Sequence, residues 1–426
     1  MFRLCAPVLG KGGVFSARVH PRLKQILRGV KQESNLRREA ITRFNKRWRS
    51  WAIRTVRKHN LARQVVLTAD PSLMDAEYLA TCMQKAASSG LKDVDLWRGY
   101  SNRFCEIVDE IPPDFFGYIV WSVGRVQIPF RGELYPNIVR RSTQLVPELC
   151  GSSLMAVLWT LRRALVRPPT ELLERIANRV VEDSEQIRPS DFIKIINSLA
   201  FYGFGKTDTK FREKISQTAL KKFESETFAQ DFRSAVDPLA MANIYNSELQ
   251  IYVLDRFRKV FITARPNHLL QAYYCSVLVR VTAPDVWFSG LSEKTRGFYQ
   301  SLSVRHISAP SRGMSKLHKE VSDILAGPDF LTPHRNQFRW GPFWIDIGIE
   351  TEQASEEIGE DKKTCIILDK PSSFYANDRQ RMNEKAILED LLLSSVGWKV
   401  CHVNHHLWSR CRDTDSKVKL LRSVIH

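Results

Sequence analysis

Signals for helix starts recur in this sequence at a nearly constant interval. Asp75, Asp114, Ser152 and Ser190 each precede an apolar run with helical spacing, and each start follows the previous one after about 38 residues. Asp, Ser and Asn commonly cap helix N-termini, and a further signal at Asn267 follows after about twice that interval. A period of about 38 residues predicts stacked helix pairs. Chance spacing in an ordinary helical bundle is the alternative.

The all-α pattern extends over residues 69–310, where short Gly, Pro and Ser segments separate the apolar runs. We predict an α-helical repeat array there, with five clear repeats and a degenerate one over 228–266, where Asp237 and Pro238 are displaced. Cations on the second helices could line one groove and follow a phosphate backbone, or could simply form solvated faces beside glutamates. These cations are Arg140, Arg141, Arg175, Arg179, Arg212 and Lys214.

Positive charge is concentrated at the N-terminus. Residues 1–60 contain sixteen Lys and Arg against two acids, Glu33 and Glu39, and contribute +14 of the net charge of +18. The acid-free residues 1–30 mix basic and apolar side chains, which is the pattern of an organellar transit peptide. We expect a targeting leader there and import into the mitochondrial matrix, which we prefer to the plastid. A basic tail on a cytosolic or nuclear protein is the alternative.

A basic helical arm is predicted over residues 31–68, where cations surround Phe44, Trp48 and Trp51. The cations can bind phosphates while the indoles stack on unpaired bases. The same aromatic residues, spaced by four and three, could instead dock the helix on the next domain. The predicted RNA-binding residues of the arm are Arg43, Lys46, Arg47, Trp48, Arg49, Trp51, Arg54, Arg57 and Lys58.

The pattern changes in residues 314–426, which read as a helix, two strands, an amphipathic helix and a short strand. This order predicts a small α/β domain behind the array. The apolar runs are far shorter than the roughly 18 residues that a membrane span requires. The eight cysteines contain no CxxC pair, and CHVNHH at residues 401–406 fits no standard zinc ligand set, so no metal is predicted.

Several residues of this α/β segment resemble the pattern of a RAP domain. They are Asp346 in WIDIGIE, Asp369 and Pro371 in ILDKP, Lys385 in NEKAIL, Gly397, Trp398 and Val400 in GWKV, and Trp408 in HHLW. The resemblance implies a small restriction-endonuclease-like fold behind octotricopeptide- or heptatricopeptide-like repeats, and a role with organellar RNA. More distantly, the chain is similar to the Fas-activated serine/threonine kinase family.

The RAP fold in turn resembles nucleases in which two or more acids hold a divalent cation. Asp346 and Asp369 are the candidate acids, but Ile367 and Lys370 stand where the pattern has a Glu and a Gly. Because Mg²⁺ needs several oxygen ligands, we predict a non-catalytic domain without a cofactor. Mg²⁺ enters only if a nuclease is present after all, with Glu350 or Glu352 as a substitute acid.

The leading hypothesis is a mitochondrial RNA-binding protein that contacts ribosomal RNA, as a component or assembly factor of the mitochondrial ribosome. Its expected partners are organellar RNA and ribosomal or other RNA-binding proteins, and Lys370 and Lys385 complete the predicted RNA-binding residues. Two alternatives stay open. One is an endonuclease or a factor for transcript processing or stability, and the other is a protein-binding helical scaffold.

Overall fold

The computed structural model describes residues 70–129, 131–206, 208–224, 232–261, 266–304, 313–349 and 363–425. The described residues fall in one compact unit. The predicted leader and basic arm lie outside them.

Residues 76–304 form helices that alternate between two layers. The first layer contains α1 (Ala76–Ser88), α3 (Pro113–Val126), α5 (Gly151–Arg163), α7 (Pro189–Phe201), α9 (Pro238–Asn243) and α11 (Pro266–Thr282). The second layer contains α2 (Val94–Ile107), α4 (Leu134–Leu145), α6 (Thr170–Glu182), α8 (Thr209–Phe223), α10 (Ser247–Val260) and α12 (Glu293–Val304). Each helix packs on its neighbours within the same layer, so the described chain forms a two-layer array of helix pairs.

The helix starts differ in detail from the predicted caps. Asp75 caps α1, since its carboxylate accepts a hydrogen bond from the Tyr78 backbone N–H at 2.8 Å. The caps predicted at Asp114, Ser152 and Ser190 are wrong, because α3, α5 and α7 each begin one residue earlier and have no side-chain cap. In α3 and α7 the first helical residue is proline, whose preset φ and missing N–H suit the first position of a helix.

The fifth pair is the irregular one. Its first helix, α9, has only six residues and follows a 3₁₀ turn at Phe232–Ala235. The displaced Asp237 caps this short helix by accepting hydrogen bonds from the Leu239 and Ala240 N–H groups. The array therefore continues through the degenerate unit.

A four-stranded sheet follows the array. Its strands are β1 (Arg335–Trp340), β2 (Phe343–Ile349), β3 (Lys363–Asp369) and β4 (Trp398–Asn404), in the order β1-β2-β3-β4. The first three strands are antiparallel neighbours, whereas β3 and β4 are parallel and joined through α14 (Glu384–Ser395). The remaining helices are α13 (Lys316–Ala326), α15 (His405–Trp408) and α16 (Thr414–Ile425).

The two faces of the sheet belong to different cores. One face, with Cys365 and Trp398, joins α14 and the continuous core of the array. The other face, with Ile366 and Val403, packs with Val321 of α13 in a second, smaller cluster. The predicted fold class, a helical array followed by a small α/β domain, is confirmed. None of the described helices is both long and apolar enough to span a membrane.

Candidate nucleic-acid interface

The C-terminal module is docked on the array. Its helix α14 packs against the first-layer helices α7, α9 and α11. In the loop before α14, the Tyr375 hydroxyl donates to the Phe201 carbonyl at 3.2 Å. The Asn377 side chain exchanges two hydrogen bonds of 2.8 Å with the Arg167 backbone. The module thus covers the outer face of the first layer from the loop after α5 to α11.

Gly203 lies close to the first turn of α14. Gly203 follows α7 with a φ of +70°, a conformation that glycine adopts without steric cost. A Cβ atom at this position would lie 2.7 Å from Oε1 of Glu384. The Lys206 ammonium lies 3.8 Å from the same carboxylate. A side chain at position 203 would therefore have to displace the Glu384 side chain and would also occupy a φ that favours glycine.

The two candidate acids lie on the sheet face that points towards α14. Asp346 and Asp369 are both buried, with 7% and 3% of their surface exposed. Oδ2 of Asp346 accepts a hydrogen bond from the Leu368 N–H at 3.1 Å, and its Oδ1 lies 3.6 Å from the Lys370 ammonium. Lys370, which replaces the glycine of the nuclease pattern, thus places a positive charge beside Asp346.

His402 of β4 holds the second acid. Its Nδ1 lies 3.0 Å from Oδ1 of Asp369, and its Nε2 lies 3.1 Å from Oδ2 of Asp390. Hydrogen bonding to Asp369 and then to Asp390 raises the pKa of His402 to about 10, so the ring is an imidazolium at neutral pH. Nearby on α14, burial raises the pKa of Glu389. The module therefore contains acids that are already matched by internal cations.

These residues do not fit a Mg²⁺ site. A hard cation needs several free oxygen ligands, whereas Asp346 and Asp369 are engaged by a lysine, an imidazolium and a backbone N–H. Ile367 offers a hydrocarbon where the nuclease pattern has a carboxylate. Among the residues that the structure describes, no three His, Cys, Asp or Glu side chains form a group that could hold a metal ion.

The array arginines predicted to bind RNA all have partners within the protein. The contacts are Arg140 with Asp109 at 2.7 Å, Arg175 with Glu171 at 2.8 Å, Arg179 with Asp183 at 2.7 Å, Arg141 with the Ile111 carbonyl at 3.2 Å, and Arg212 with the Tyr245 carbonyl at 2.9 Å. Phosphate would have to compete with these contacts, although exposed ion pairs contribute only about 0–1 kcal/mol each.

The other predicted RNA-binding residues are dispersed. Lys370 faces Asp346 in the module, and Lys385 is exposed on α14 one turn before Glu389. The arm residues from Arg43 to Lys58 lie outside the described part of the chain. The described cations of the prediction therefore lie partly on the second-layer helices and partly in the C-terminal module.

Part of the C-terminal module matches a known protein family. Residues 366–424 match the model of the RAP domain. RAP domains are generally associated with RNA binding. The matched part begins in β3 and ends in α16, so it includes Asp369, Asp390 and His402. A comparison with curated proteins gives no significant match.

Two tryptophans of the RAP domain have structural roles. Trp398 and Trp408 are 3% and 4% exposed, as expected for core residues. The Trp408 indole donates to Glu320 at 2.9 Å, and this carboxylate also accepts from Lys417 at 2.8 Å. Neither indole is accessible to a stacked base.

Sequence patterns did not predict several residues of this interface. His402 and Asp390 complete the acidic site, and Tyr375 docks the domain. Of these three, only His402 lies in a stretch singled out from the sequence, CHVNHH, where it was weighed as a zinc ligand and not as a partner of Asp369. A pair of first-layer arginines, Arg125 and Arg163, was also missed. Their signal was present, because one repeat length separates the two positions and they occupy equivalent places in adjacent repeats.

Proposed function

We propose that this chain is an RNA-binding protein of the mitochondrial matrix that contacts ribosomal RNA, as a component or assembly factor of the mitochondrial ribosome. The observation that carries the proposal is the RAP domain at residues 366–424, docked behind a two-layer helical array. The array supplies an extended surface, as repeat proteins generally do when they bind long ligands. The RAP domain supplies the association with RNA.

The N-terminal sequence supports an organellar RNA partner. Residues 1–30 are free of acids and have the composition of a transit peptide. Residues 31–60 carry ten Lys and Arg against two glutamates, and such segments gain affinity by releasing counterions from phosphates. A stable ribosomal position suits this arm, because ribosomal RNA presents a dense phosphate surface.

Localisation and the RNA partner can be tested together. The tagged full chain should resist added protease in intact mitochondria and become sensitive after detergent lysis. In matrix extracts it should co-sediment with a ribosomal subunit and shift to lighter fractions after ribonuclease treatment. Recovery only outside mitochondria, or free sedimentation with no associated RNA, would contradict the proposal.

The arm can be tested by salt-titrated binding of the purified chain to mitochondrial ribosomal RNA. Removal of residues 31–60 should weaken binding and flatten the dependence of affinity on salt, since fewer counterions are released. The matched control is Arg98→Gln with Lys259→Gln, because both side chains are paired with acids and neither is a predicted RNA-binding residue. Equal affinity with and without residues 31–60 would exclude the arm from RNA binding.

A further inference from the structure

The first layer of the array has a covered part and an open part. The RAP domain covers α7, all of whose residues are described, and Lys194 is its only exposed residue. In contrast, α3 exposes Tyr118 and Arg125, and α5 exposes Arg163. The second layer packs on the other side of these helices, so the open side is a surface that no described part of the chain covers.

Adjacent repeats carry the same pair of residue types on this open side. Trp121 and Arg125 are one turn apart on α3, and Trp159 and Arg163 occupy the equivalent positions on α5, one repeat later. Both tryptophans are half-buried. The guanidinium carbon of Arg163 lies 4.8 Å from the centroid of the Trp159 ring, a cation–π contact that keeps both groups at the surface.

Small residues bring the two helices, and hence the two pairs, close together. A Cβ atom at Gly124 of α3 would lie 2.3 Å from Oγ1 of Thr160 and 2.9 Å from the Trp159 ring. The Thr160 hydroxyl donates to the Val120 carbonyl at 2.8 Å. The Trp159 ring therefore rests against the turn of α3 that precedes Arg125.

The two arginines lack partners of opposite charge. Among the described residues, no carboxylate or carbonyl accepts a hydrogen bond from Arg125 or Arg163, unlike the second-layer arginines such as Arg140. Burial and the nearby charge of Arg125 lower the pKa of Arg163, which indicates that the two guanidiniums lie close enough to repel each other. Two adjacent unpaired cations favour an anion as the occupant of this surface.

A groove runs beside the pairs. It has a volume of about 510 Å³, and its lining includes Tyr118, Trp121 and Met155, Gln84 of α1, and two opposite charges, Asp114 and Arg188. Flat apolar side chains next to cations combine what an unpaired nucleotide needs, namely a face for its base and a charge for its phosphate. A duplex would engage the arginines but would keep its bases stacked inside the helix.

We propose that this tryptophan–arginine surface, defined as Tyr118, Trp121, Arg125, Trp159 and Arg163, binds single-stranded RNA. Unpaired bases stack on the aromatic rings and on the Arg163 guanidinium, and the two arginines bind the phosphates. The inference rests on the proposed RNA-binding function and adds where and in which form the RNA binds. It places the RNA contacts of the array on the first-layer helices instead of the second-layer helices.

The test is fluorescence anisotropy of the full chain with labelled RNAs of about 12 nucleotides, single-stranded or in a hairpin duplex. Trp121→Leu with Trp159→Leu should weaken single-strand binding roughly 5- to 150-fold per lost stack and leave duplex binding nearly unchanged. Replacement of both tryptophans by tyrosine should restore most of the affinity. Far-ultraviolet circular dichroism and thermal melts verify that the variants fold.

The arginines are tested by salt titration. Arg125→Gln with Arg163→Gln should lower the salt-dependence slope by about 1.4, since each phosphate contact on a single strand contributes about 0.7. The charge-matched control, Arg98→Gln with Lys259→Gln, should leave the slope unchanged because both side chains lie outside this surface and are paired with acids.

The outcomes separate this inference from the proposed function. If the full chain binds no RNA of either form, the RNA-binding proposal fails and this inference fails with it. If the chain binds RNA but the leucine and glutamine variants bind equally well, only the tryptophan–arginine surface is excluded. If a polyglutamate peptide binds this surface and competes as well as RNA, the surface recognises acidic proteins and base stacking is overturned.

Discussion

The phenol rings of Tyr375 and Tyr202 stack with their centroids 6.1 Å apart and an angle of 22° between their planes. Tyr375 belongs to the RAP domain and Tyr202 to the end of α7, so this contact joins two parts of the chain that are distant in sequence. The guanidinium carbon of Arg167 lies over the Tyr375 ring, 5.5 Å from its centroid. The RAP domain and the array therefore share a core and should unfold together.

Replacement of Tyr375 by alanine should loosen this shared core. Tyr375 is fully buried, and truncation of a buried aromatic side chain costs about 3 to 5 kcal/mol. We expect thermal unfolding of the variant to split into two transitions, one for the array and one for the RAP domain. Tyr78→Ala is the control, because Tyr78 is 43% exposed and its loss should shift stability by less than about 0.5 kcal/mol. A single unshifted transition in the Tyr375 variant would contradict the shared core.

Replacement of Gly203 by alanine should weaken the packing of α14 on the array. The added Cβ would approach Glu384 to 2.7 Å and would occupy a φ of +70°. Gly90→Ala is a matched control, since Gly90 has a φ of +72° but open space around it. Both variants should lose roughly 1 kcal/mol from the backbone conformation, and Gly203→Ala should lose more.

The additional loss of stability in Gly203→Ala, relative to Gly90→Ala, can be assigned by a double-mutant cycle measured by urea unfolding. Truncation of Glu384 to alanine removes the atoms that the new Cβ would meet. It should therefore recover part of the loss in Gly203→Ala and none in Gly90→Ala. Equal losses in the two glycine variants would show that the approach of α14 is not tight.

Replacement of His402 by glutamine should reduce stability in a pH-dependent manner. The pKa of His402 is raised from an ordinary value of 6.5 to about 10 by Asp369 and Asp390. Because the pKa of His402 is higher in the folded state, its proton stabilises the fold fully below pH 6.5. This contribution is lost as the pH rises towards 10. The difference between wild type and variant, roughly 1.5 to 3 kcal/mol per charged hydrogen bond at low pH, should shrink over that window.

Urea unfolding at several pH values measures this difference. His334→Gln serves as the control, because the His334 ring contacts the Ser322 hydroxyl and the Thr332 carbonyl instead of a carboxylate. A His402 difference that stays constant between pH 6.5 and 10 would rule out a charged imidazolium at this position.

We expect RNA binding without cleavage. Lys370 and His402 occupy the positions from which a metal ion would have to neutralise Asp346 and Asp369. Labelled RNAs incubated with the full chain and Mg²⁺ or Mn²⁺ should stay intact for as long as the protein-free control. Metal-dependent cleavage that Asp346→Ala abolishes would restore the nuclease alternative.

Much of the fold could be predicted from local signals. The regularly recurring helix starts predicted the helix pairs, because each pair repeats the same apolar pattern. The predicted cap positions were two residues too late where proline or glycine begins the helix. Strand β1 was missed, since its sequence RNQFRW lacks a clean alternation. Gln337, with a φ of +46°, interrupts the pairing of β1 with β2, although the register is the same on both sides of it.

The candidate site could be predicted only in part. Asp346 and Asp369 were named from the sequence as candidate acids, because a known pattern names both positions, and the structure places both on the sheet face that points towards α14. Their partners Lys370 and His402 depend on side-chain directions across β2, β3 and β4, which no local motif encodes. The docking of Tyr375 on Tyr202 is likewise a long-range contact that helix and strand patterns do not contain.

The docked RAP domain contacts four successive repeats, from the loop after α5 through α7 and α9 to α11. Inserting a duplicated unit anywhere within that span would change the spacing between these contacts and break the fit. A unit inserted before α5 would leave every one of them in place. The array can therefore gain or lose whole repeats only on its N-terminal side. Such changes would adapt the array to longer or shorter ligands and would leave the contacts between the two domains intact.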